Sequence, residues 1–418
     1  MPESEQPEKS EKRGNFFQIF LEETIGVSLL VPILAVFTGL LLGGVIVALT
    51  TEQFYAAWSQ SPLVAIQVGA KAAWEAYVAL FNGSIGNPAK IIAAFRSGNG
   101  MEIRQELNPF FGSLTQSIPY MFAGLAVALG FRAGLFNIGA EGQLFIGAIT
   151  AAIAGYAITG LPAIIHIPLA LLIGALGGAV WGFIPGFLKA KTGGHEVINT
   201  IMMNYIAFRL SDYLLRGPMK RPDSFNPVSP FIQDSAKLPR FFGEPIRFHL
   251  GFFIALGVAW LVYWLLFKTK WGFDLRTVGA NPNAARYSGM SISAVIMIAM
   301  SLSGALAGLA GANEVLGVNY NIALAFSSGY GFDSIALALL GKSHPLGVVL
   351  ASLLFGTLRN GATQMQLAAG IPVDIISVMQ ALILAFIAAP AIIRTIYRLR
   401  APERLEEGVF VRGWGGGD

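Results

Sequence analysis

The sequence predicts an all-α polytopic membrane protein of about nine or ten transmembrane or half-membrane helices, with broken helices lining a central pathway. Three observations predict it. Of the 418 residues, 54% are hydrophobic and only 12% charged, whereas a soluble globular chain carries about 25% charged residues. Apolar runs of about 20 residues, long enough to cross a bilayer, recur along the chain. Finally, the stretch from Pro119 to Gly155 sets Arg132, Asn137, Glu141 and Gln143 among glycines inside apolar helix-forming sequence. A charged or amide side chain at membrane depth is costly unless it is paired or faces water. Glycines at 130, 134, 139 and 142 let a helix break there. A bilayer tolerates such a break only where protein or water satisfies the backbone.

Taken in order, residues 1–15 are polar and rich in Glu, Ser and Pro, which reads as a disordered cytoplasmic tail. They lack the pattern of a signal peptide. Ile25–Leu49 is long enough to span, and Lys9, Lys12 and Arg13 before it favour a cytoplasmic N-terminus. Residues 50–113 are less apolar and carry Lys71, Glu75, Lys90, Arg96, Glu102, Arg104 and Glu106. They read as an external excursion with amphipathic helices on the surface. Spans follow at about 114–131, 136–159, 167–188, 196–215 and 250–267. A cytoplasmic segment, 268–290, precedes spans at about 291–311, a broken pair within 331–358, and 373–396. Residues 401–418 form a second cytoplasmic tail.

In the span at 167–188, Gly174, Gly178, Gly182 and Gly186 recur every four residues. On a helix they make one groove that lets a second backbone approach closely, a packing device in lipid. Gly304 and Gly308 repeat it. Orientation rests on charge. Lys189, Lys191, Lys268, Lys270, Arg276, Arg286, Arg394 and Arg398 fall inside, which places both termini in the cytoplasm. The loop 216–248 counts as external although it carries Arg216, Lys220, Arg221, Lys237, Arg240 and Arg247. A basic external loop suits docking to an acidic patch on a soluble partner.

Several chemistries are excluded. The chain has no cysteine, and its four histidines (166, 195, 249 and 344) form no metal-binding pair. No basic stripe with interleaved aromatics points to nucleic acid. The run Gly341, Lys342, Ser343 is no phosphate loop, because Ala336 stands where the first glycine is needed. Candidate solute-facing groups are Phe136, Asn137, Glu141, Gln143, Glu196, Asn199, Asn204, Asn313 and Glu314. Amides donate and accept, which suits sugar hydroxyls and base edges, and Phe136, Tyr205, Phe326 and Tyr330 offer stacking faces. Interhelical glue fits Asn137, Glu141, Gln143 and Asn199 equally well and fits the remainder better. An intramembrane Glu also suits a proton-coupled secondary transporter, the alternative reading.

FRAGLFNIGAEGQ at 131–143 resembles the signature of membrane permease subunits of ABC importers, in the branched-chain amino acid and simple-sugar permease family. Its wording is nearest to the nucleoside-type branch. GHEVINTIMMNYIA, LRTVGANPNAARYSGM, SGALAGLAGANEVLG and GFDSIALALLGKSHPLGVVLASLLFG agree, in that order, from Gly194 to Gly356. The resemblance implies one transmembrane permease domain over 16–400, with 268–290 as a cytoplasmic coupling loop. Gly279, Asn281, Pro282, Ala284, Ala285, Arg286 and Gly289 would then dock a cytoplasmic ATP-binding subunit. Without the resemblance that loop is an ordinary amphipathic turn. It further implies a second permease subunit (a heterodimer rather than a homodimer) and an external substrate-binding protein or lipoprotein. No cofactor is expected in this chain, since ATP is bound by the partner. The implied setting is a bacterial-type plasma membrane, and the implied solute a nucleoside or related simple sugar-containing compound.

Overall fold

The computed structural model describes residues 27–399, so the expected tails at 1–15 and 401–418 lie outside the described residues. Sixteen α-helices follow one another. They are α1 (Val27–Thr50), α2 (Glu52–Trp58), α3 (Pro62–Ser84), α4 (Pro88–Ser97), α5 (Gly100–Arg132), α6 (Ala140–Ala157), α7 (Ala163–Thr192) and α8 (Glu196–Arg216). After a long loop come α9 (Gly251–Lys268), α10 (Lys270–Ala280), α11 (Pro282–Tyr287), α12 (Ile292–Glu314), α13 (Tyr330–Leu340), α14 (Pro345–Ala369), α15 (Asp374–Ala388) and α16 (Pro390–Ile396). A π turn, Val315–Asn319, extends α12. Among the described residues extended structure amounts to isolated bridges, Val228 to Ala323 and Arg240 to His249.

Seven helical segments among the described residues are long and apolar enough to cross a membrane, or eight with the bent pair α15–α16. The chain is a multi-pass integral membrane protein. Close contacts give the direction of each helix. Gly39 faces Ile383 and Gly43 faces Met379, so α1 runs antiparallel to α15. Gly112 faces Asn360 and Gly124 faces Val348, so α5 runs antiparallel to α14. Therefore α1 ends, and α5 begins, at the face where α14 turns into α15.

The segment between α1 and α5 leaves and returns at one face. Its α3–α4 unit passes the length and composition test for a span, yet it makes no net crossing. Helix α3 slants instead. Gly69 lies against Ala48 near the end of α1, while the Ser84 hydroxyl donates to the Thr357 carbonyl, midway along α14, at 2.7 Å. The excursion read at 50–113 is thus mostly helical and partly sunk into the bundle. It also ends sooner, since α5 begins at Gly100.

The frame of the bundle is the contact of α7 with α12. Gly174 faces Ala312, Gly178 faces Gly304 and Gly308, and Gly182 and Gly186 face Met300. Gly147 of α6 meets Gly308 as well. Backbone lies on backbone here, and lipid supplies no hydrophobic drive to replace that packing. A Cβ at Gly178 would come 2.7 Å from the Gly308 Cα, whereas one at Gly257 on α9 meets nothing within 4 Å.

Gly178→Ala is therefore expected to lower the thermal midpoint of the detergent-solubilised protein, at a cost of about 1–3 kcal/mol for overpacking. Gly257→Ala, the same chemical change in open space, is expected to leave the midpoint unchanged. Equal melting of the two variants would contradict the packing account.

Candidate functional site

The site is built where two helices are interrupted. Helix α5 ends at Arg132, and residues 133–139 turn back into the bundle before α6 begins. Gly134 makes the turn at φ +72°, a left-handed conformation that favours glycine. Leu135 N–H then donates to the Gly130 carbonyl at 2.9 Å, so the turn doubles back on α5. Helix α13 is the second interrupted piece. It begins inside the bundle at Tyr330, behind Gly329 at φ +89°.

The polar residues of the first break satisfy one another. Asn137 Nδ2 donates to Gln143 Oε1 and to Ser303 Oγ, both at 2.8 Å. Asn137 Oδ1 accepts the Gly139 N–H at 3.0 Å and Gln143 Nε2 at 3.2 Å. Ser303 in turn donates to the Ala126 carbonyl at 2.6 Å. From α8, Asn204 donates to the Ile138 carbonyl at 2.9 Å and accepts the Gly142 N–H at 2.8 Å. Asn137, Gln143 and Asn204 are all fully buried. This arrangement supplies partners to backbone groups that the break leaves exposed, which a membrane interior demands.

Glu141 and Arg132 act on α13. The buried Glu141 carboxylate accepts the Gly331 N–H at 2.6 Å, and Ser327 and the backbone of Gly329 stand beside it. It thereby caps the N-terminus of α13, where free N–H groups and the helix dipole favour negative charge. At the other end, Arg132 Nε donates to the Ser343 carbonyl at 2.9 Å and Nη2 to the Lys342 carbonyl at 3.2 Å. Positive charge is favoured at a helix C-terminus. The two side chains clasp one short helix at both ends, each with the sign its dipole prefers. Arg132 also stands 5.6 Å from the centroid of the Phe267 ring, with Arg276 5.2 Å from the same ring.

Beside the N-terminus of α13 lies a second group that the sequence does not reveal. Tyr120 OH donates to Asp333 Oδ2 at 3.0 Å, and Tyr330 OH donates to Gln116 Oε1 at 3.2 Å. The two tyrosine rings meet edge to face at 5.0 Å. Arg359 of α14 acts electrostatically on Asp333 and on both tyrosines. The only sequence signal for this group is that Asp333 and Arg359 interrupt apolar runs.

The other sequence candidates make no side-chain hydrogen bond to this centre among the described residues. Glu196 pairs with Lys189 at 2.5 Å and ties the end of α7 to the start of α8. Asn199 is half-buried beside Gly194. Phe136 packs its ring 5.2 Å from Phe131. Asn313 is buried at the π-turn end of α12, with neither side-chain nitrogen nor oxygen hydrogen-bonded among the described residues. Glu314 next to it accepts from Asn319 at 3.3 Å. Among the described residues no cluster of His, Cys, Asp and Glu is placed to hold a metal ion.

The segment 268–290 forms α10 and α11. Asn281 caps α11 by accepting the N–H groups of Asn283 and Ala284 at 3.0 and 3.1 Å, and Pro282 occupies the first turn. Ala285 is buried, while Ala284, Arg286 and Tyr287 are exposed. Gly289, at φ +78°, ends the unit. Gly279 lies directly on the Arg132 carbonyl and on Ala133 and Gly134. The exposed short helix thus rests, through one glycine, on the turn that interrupts α5 and α6.

The family described as the branched-chain amino acid transport system, permease component, matches residues 110–388. The guanosine ABC transporter permease NupP of Bacillus subtilis is 45% identical over 68% of this chain and 82% of its own length. The glucose ABC transporter permease TsgB13 of Haloferax volcanii is 38% identical over 66% of this chain and 74% of its own. The nucleoside ABC transporter permease NupB of Lactococcus lactis is 34% identical, over 66% and 78%. No solved structure matches the chain.

Glu141→Ala is expected to destabilise the solubilised protein by about 1–3 kcal/mol, the cost of leaving buried donors unsatisfied. Glu141→Gln, which keeps an acceptor oxygen, is expected to lose less. Thermal melting and protease resistance of the 327–343 segment measure both effects. Full stability in Glu141→Ala would remove the capping role.

Proposed function

The chain belongs to the permease family of branched-chain amino acid transport systems and is a membrane-spanning subunit of an ABC transporter; we propose that it passes a nucleoside, or a related simple sugar-containing solute, inward. The named cargo of the relatives supports that class: guanosine, nucleosides and glucose. One observation carries the mechanical reading. It is the contact of Gly279 on the backbone of Arg132 to Gly134, which joins the coupling segment to the interrupted helices without an intervening side chain.

In this reading a cytoplasmic ATP-binding subunit docks on α11. Asn281, Pro282, Ala285 and Gly289 build and seat that helix, while Ala284, Arg286 and Tyr287 face the partner. Short amphipathic helices enter grooves in just this way. ATP and its hydrolysis belong to the partner, and this chain needs no cofactor of its own. The α11 face is the cytoplasmic one. Ile393 of α16 packs with Val31 and Ala35 of α1, so the two described ends of the chain share a face, which supports the reading that both termini are cytoplasmic.

The opposite face, with the loop at 217–250, meets an external substrate-binding protein or lipoprotein. A second, distinct permease chain covers the exposed side of α8, where Ile198, Met202, Tyr205 and Ile206 are all more than half exposed. The run at 341–343 serves structure here, because carbonyls of Lys342 and Ser343 receive Arg132. The proton-coupled alternative has little support. Its best carboxylate, Glu141, is committed to the N-terminus of α13, and the relatives are ABC permeases.

The test is uptake of radiolabelled guanosine into proteoliposomes holding this chain with its ATPase, second permease and delivery protein. ATP-dependent uptake is expected. It should fall by about tenfold or more in Arg286→Glu, the scale of reversing one contact charge in an interface. Uptake driven by a pH gradient without an ATPase would sink the proposal. ATP-dependent uptake of ribose but not guanosine would change only the cargo.

A further inference from the structure

A cavity of about 650 Å³ opens between the α3–α5 segment, α14 and the loop before α9. Its walls include Asn82, Asn108, Gln116, Asn360, Thr363 and Gln364. The wall from Asn82 to Asn108 precedes the family match, which begins at residue 110. We infer that this cavity is a holding site for an uncharged, hydroxyl-rich solute, a nucleoside above all, at the mouth of the path through this subunit. The inference rests on the permease reading given above.

The chemistry of the walls selects the ligand class. Amide and hydroxyl side chains dominate, and each amide offers both donors and an acceptor, which suits ribose hydroxyls and base edges alike. Asn82, Asn108, Thr363 and Gln364 make no side-chain hydrogen bond among the described residues. Asn360, by contrast, is fixed. Its Nδ2 donates to the carbonyls of Gly83 and Pro109 at 2.9 and 2.8 Å, which holds α3, α5 and α14 together around the cavity. Lys90, Arg247 and Glu106 also line it, so its charges are mixed and no single sign is selected. The volume lies within the range of small-molecule sites, about 300–1,000 Å³.

Position adds a second argument. Gln116, on the cavity wall, accepts the Tyr330 hydroxyl at 3.2 Å, and Tyr330 begins the helix whose next N–H binds Glu141. The cavity therefore abuts the interrupted helix at its clasped end. A solute held here stands beside the one short helix that is released if the clasp opens.

The turn into α4 shapes the wall. Gly86 adopts φ +95°, and a Cβ there would come 2.8 Å from the Glu106 carbonyl oxygen. Only glycine lets α3 and α4 close around the cavity at that point.

The natural absence of cysteine provides the test. Asn108→Cys and, separately, Thr363→Cys are placed in the complete transporter in proteoliposomes, with Gln60→Cys on the exposed turn between α2 and α3 as reference. Each is labelled with a maleimide, with and without guanosine and, in a parallel arm, ribose. Guanosine at about ten times its dissociation constant should slow labelling about tenfold at positions 108 and 363 by mass action, and leave the Gln60→Cys rate unchanged. Protection by ribose alone supports the site with a smaller cargo. Unchanged labelling of both variants, while the Gln60→Cys preparation imports guanosine with ATP, overturns the site and leaves the permease reading standing. If that reference preparation imports neither solute with ATP, the permease reading fails and this inference falls with it.

Discussion

The hold of Arg132 and Glu141 on α13 is the constraint on which the interior depends. Each residue, considered singly, is a charge at membrane depth that needs a reason to be there. Together they supply opposite charges to opposite ends of an eleven-residue helix, Tyr330–Leu340. Such a helix is too short to cross a bilayer, and its free N–H and C=O groups lie in or near the apolar region. Glu141 meets the N–H groups and Arg132 meets carbonyls just beyond the C-terminus. The chain between the two residues is the turn at 133–139, so one interruption stabilises the other.

Around that clasp the bundle is held by close backbone approach rather than by large side chains. Gly174, Gly178 and Gly182 on α7 meet Met300, Gly304, Gly308 and Ala312 on α12, and α6 joins them through Gly147. This triple contact is rigid, because small residues leave nothing to repack. The polar group of Asn137, Gln143, Asn204 and Ser303 is fastened to α6, α8 and α12 and, through the Ala126 carbonyl, to α5. It is fully bonded internally. The physical consequence is a closely packed unit, α6–α7–α8–α12, while α13 and α14 pack chiefly on α5.

How much of this the sequence disclosed follows from what is local. The all-α membrane class, the interruption near 130–142, the glycine groove and the start of a short helix at Pro282 are each written within a few adjacent turns. The partners are not. Arg132 finds its carbonyls at 342 and 343, and nothing near Arg132 in sequence points there. Asn137 and Gln143 read equally as pathway or glue because spacing gives proximity but not saturation; only the geometry shows every donor of Asn137 used. The slant of α3 was illegible for a different reason. Its composition suits a span, and only the shared face of α1 and α5 shows that it returns. The aromatic residues expected to flank a ligand each have another ring beside them, as Phe326 has Phe145 at 4.7 Å, and period and type cannot say which ring faces which.

Under the proposed docking of an ATP-binding subunit at α11, the same geometry gives the coupling between the two faces a definite course. Gly279 and Gly134 touch main chain to main chain, the Gly279 Cα lying 2.9 Å from where a Cβ on Gly134 would stand. No side chain intervenes to absorb a displacement by changing rotamer. A shift of α10, driven from α11, therefore moves the backbone at 132–134 itself, and with it the guanidinium that holds the C-terminal turn of α13. Lys342 and Ser343 both sit at positive φ, 52° and 50°, a conformation that costs non-glycine residues of order 1–3 kcal/mol each and persists only while surrounding contacts enforce it. Arg132 is one of those contacts. Under that proposal, loss of its two hydrogen bonds would free this turn to relax while Glu141 still grips the other end, so α13 would pivot about its N-terminus instead of detaching. Packed interiors switch between discrete arrangements and do not bend continuously. A helix clasped at both ends, with one clasp resting on α10 through Gly279, has the construction of such a switch.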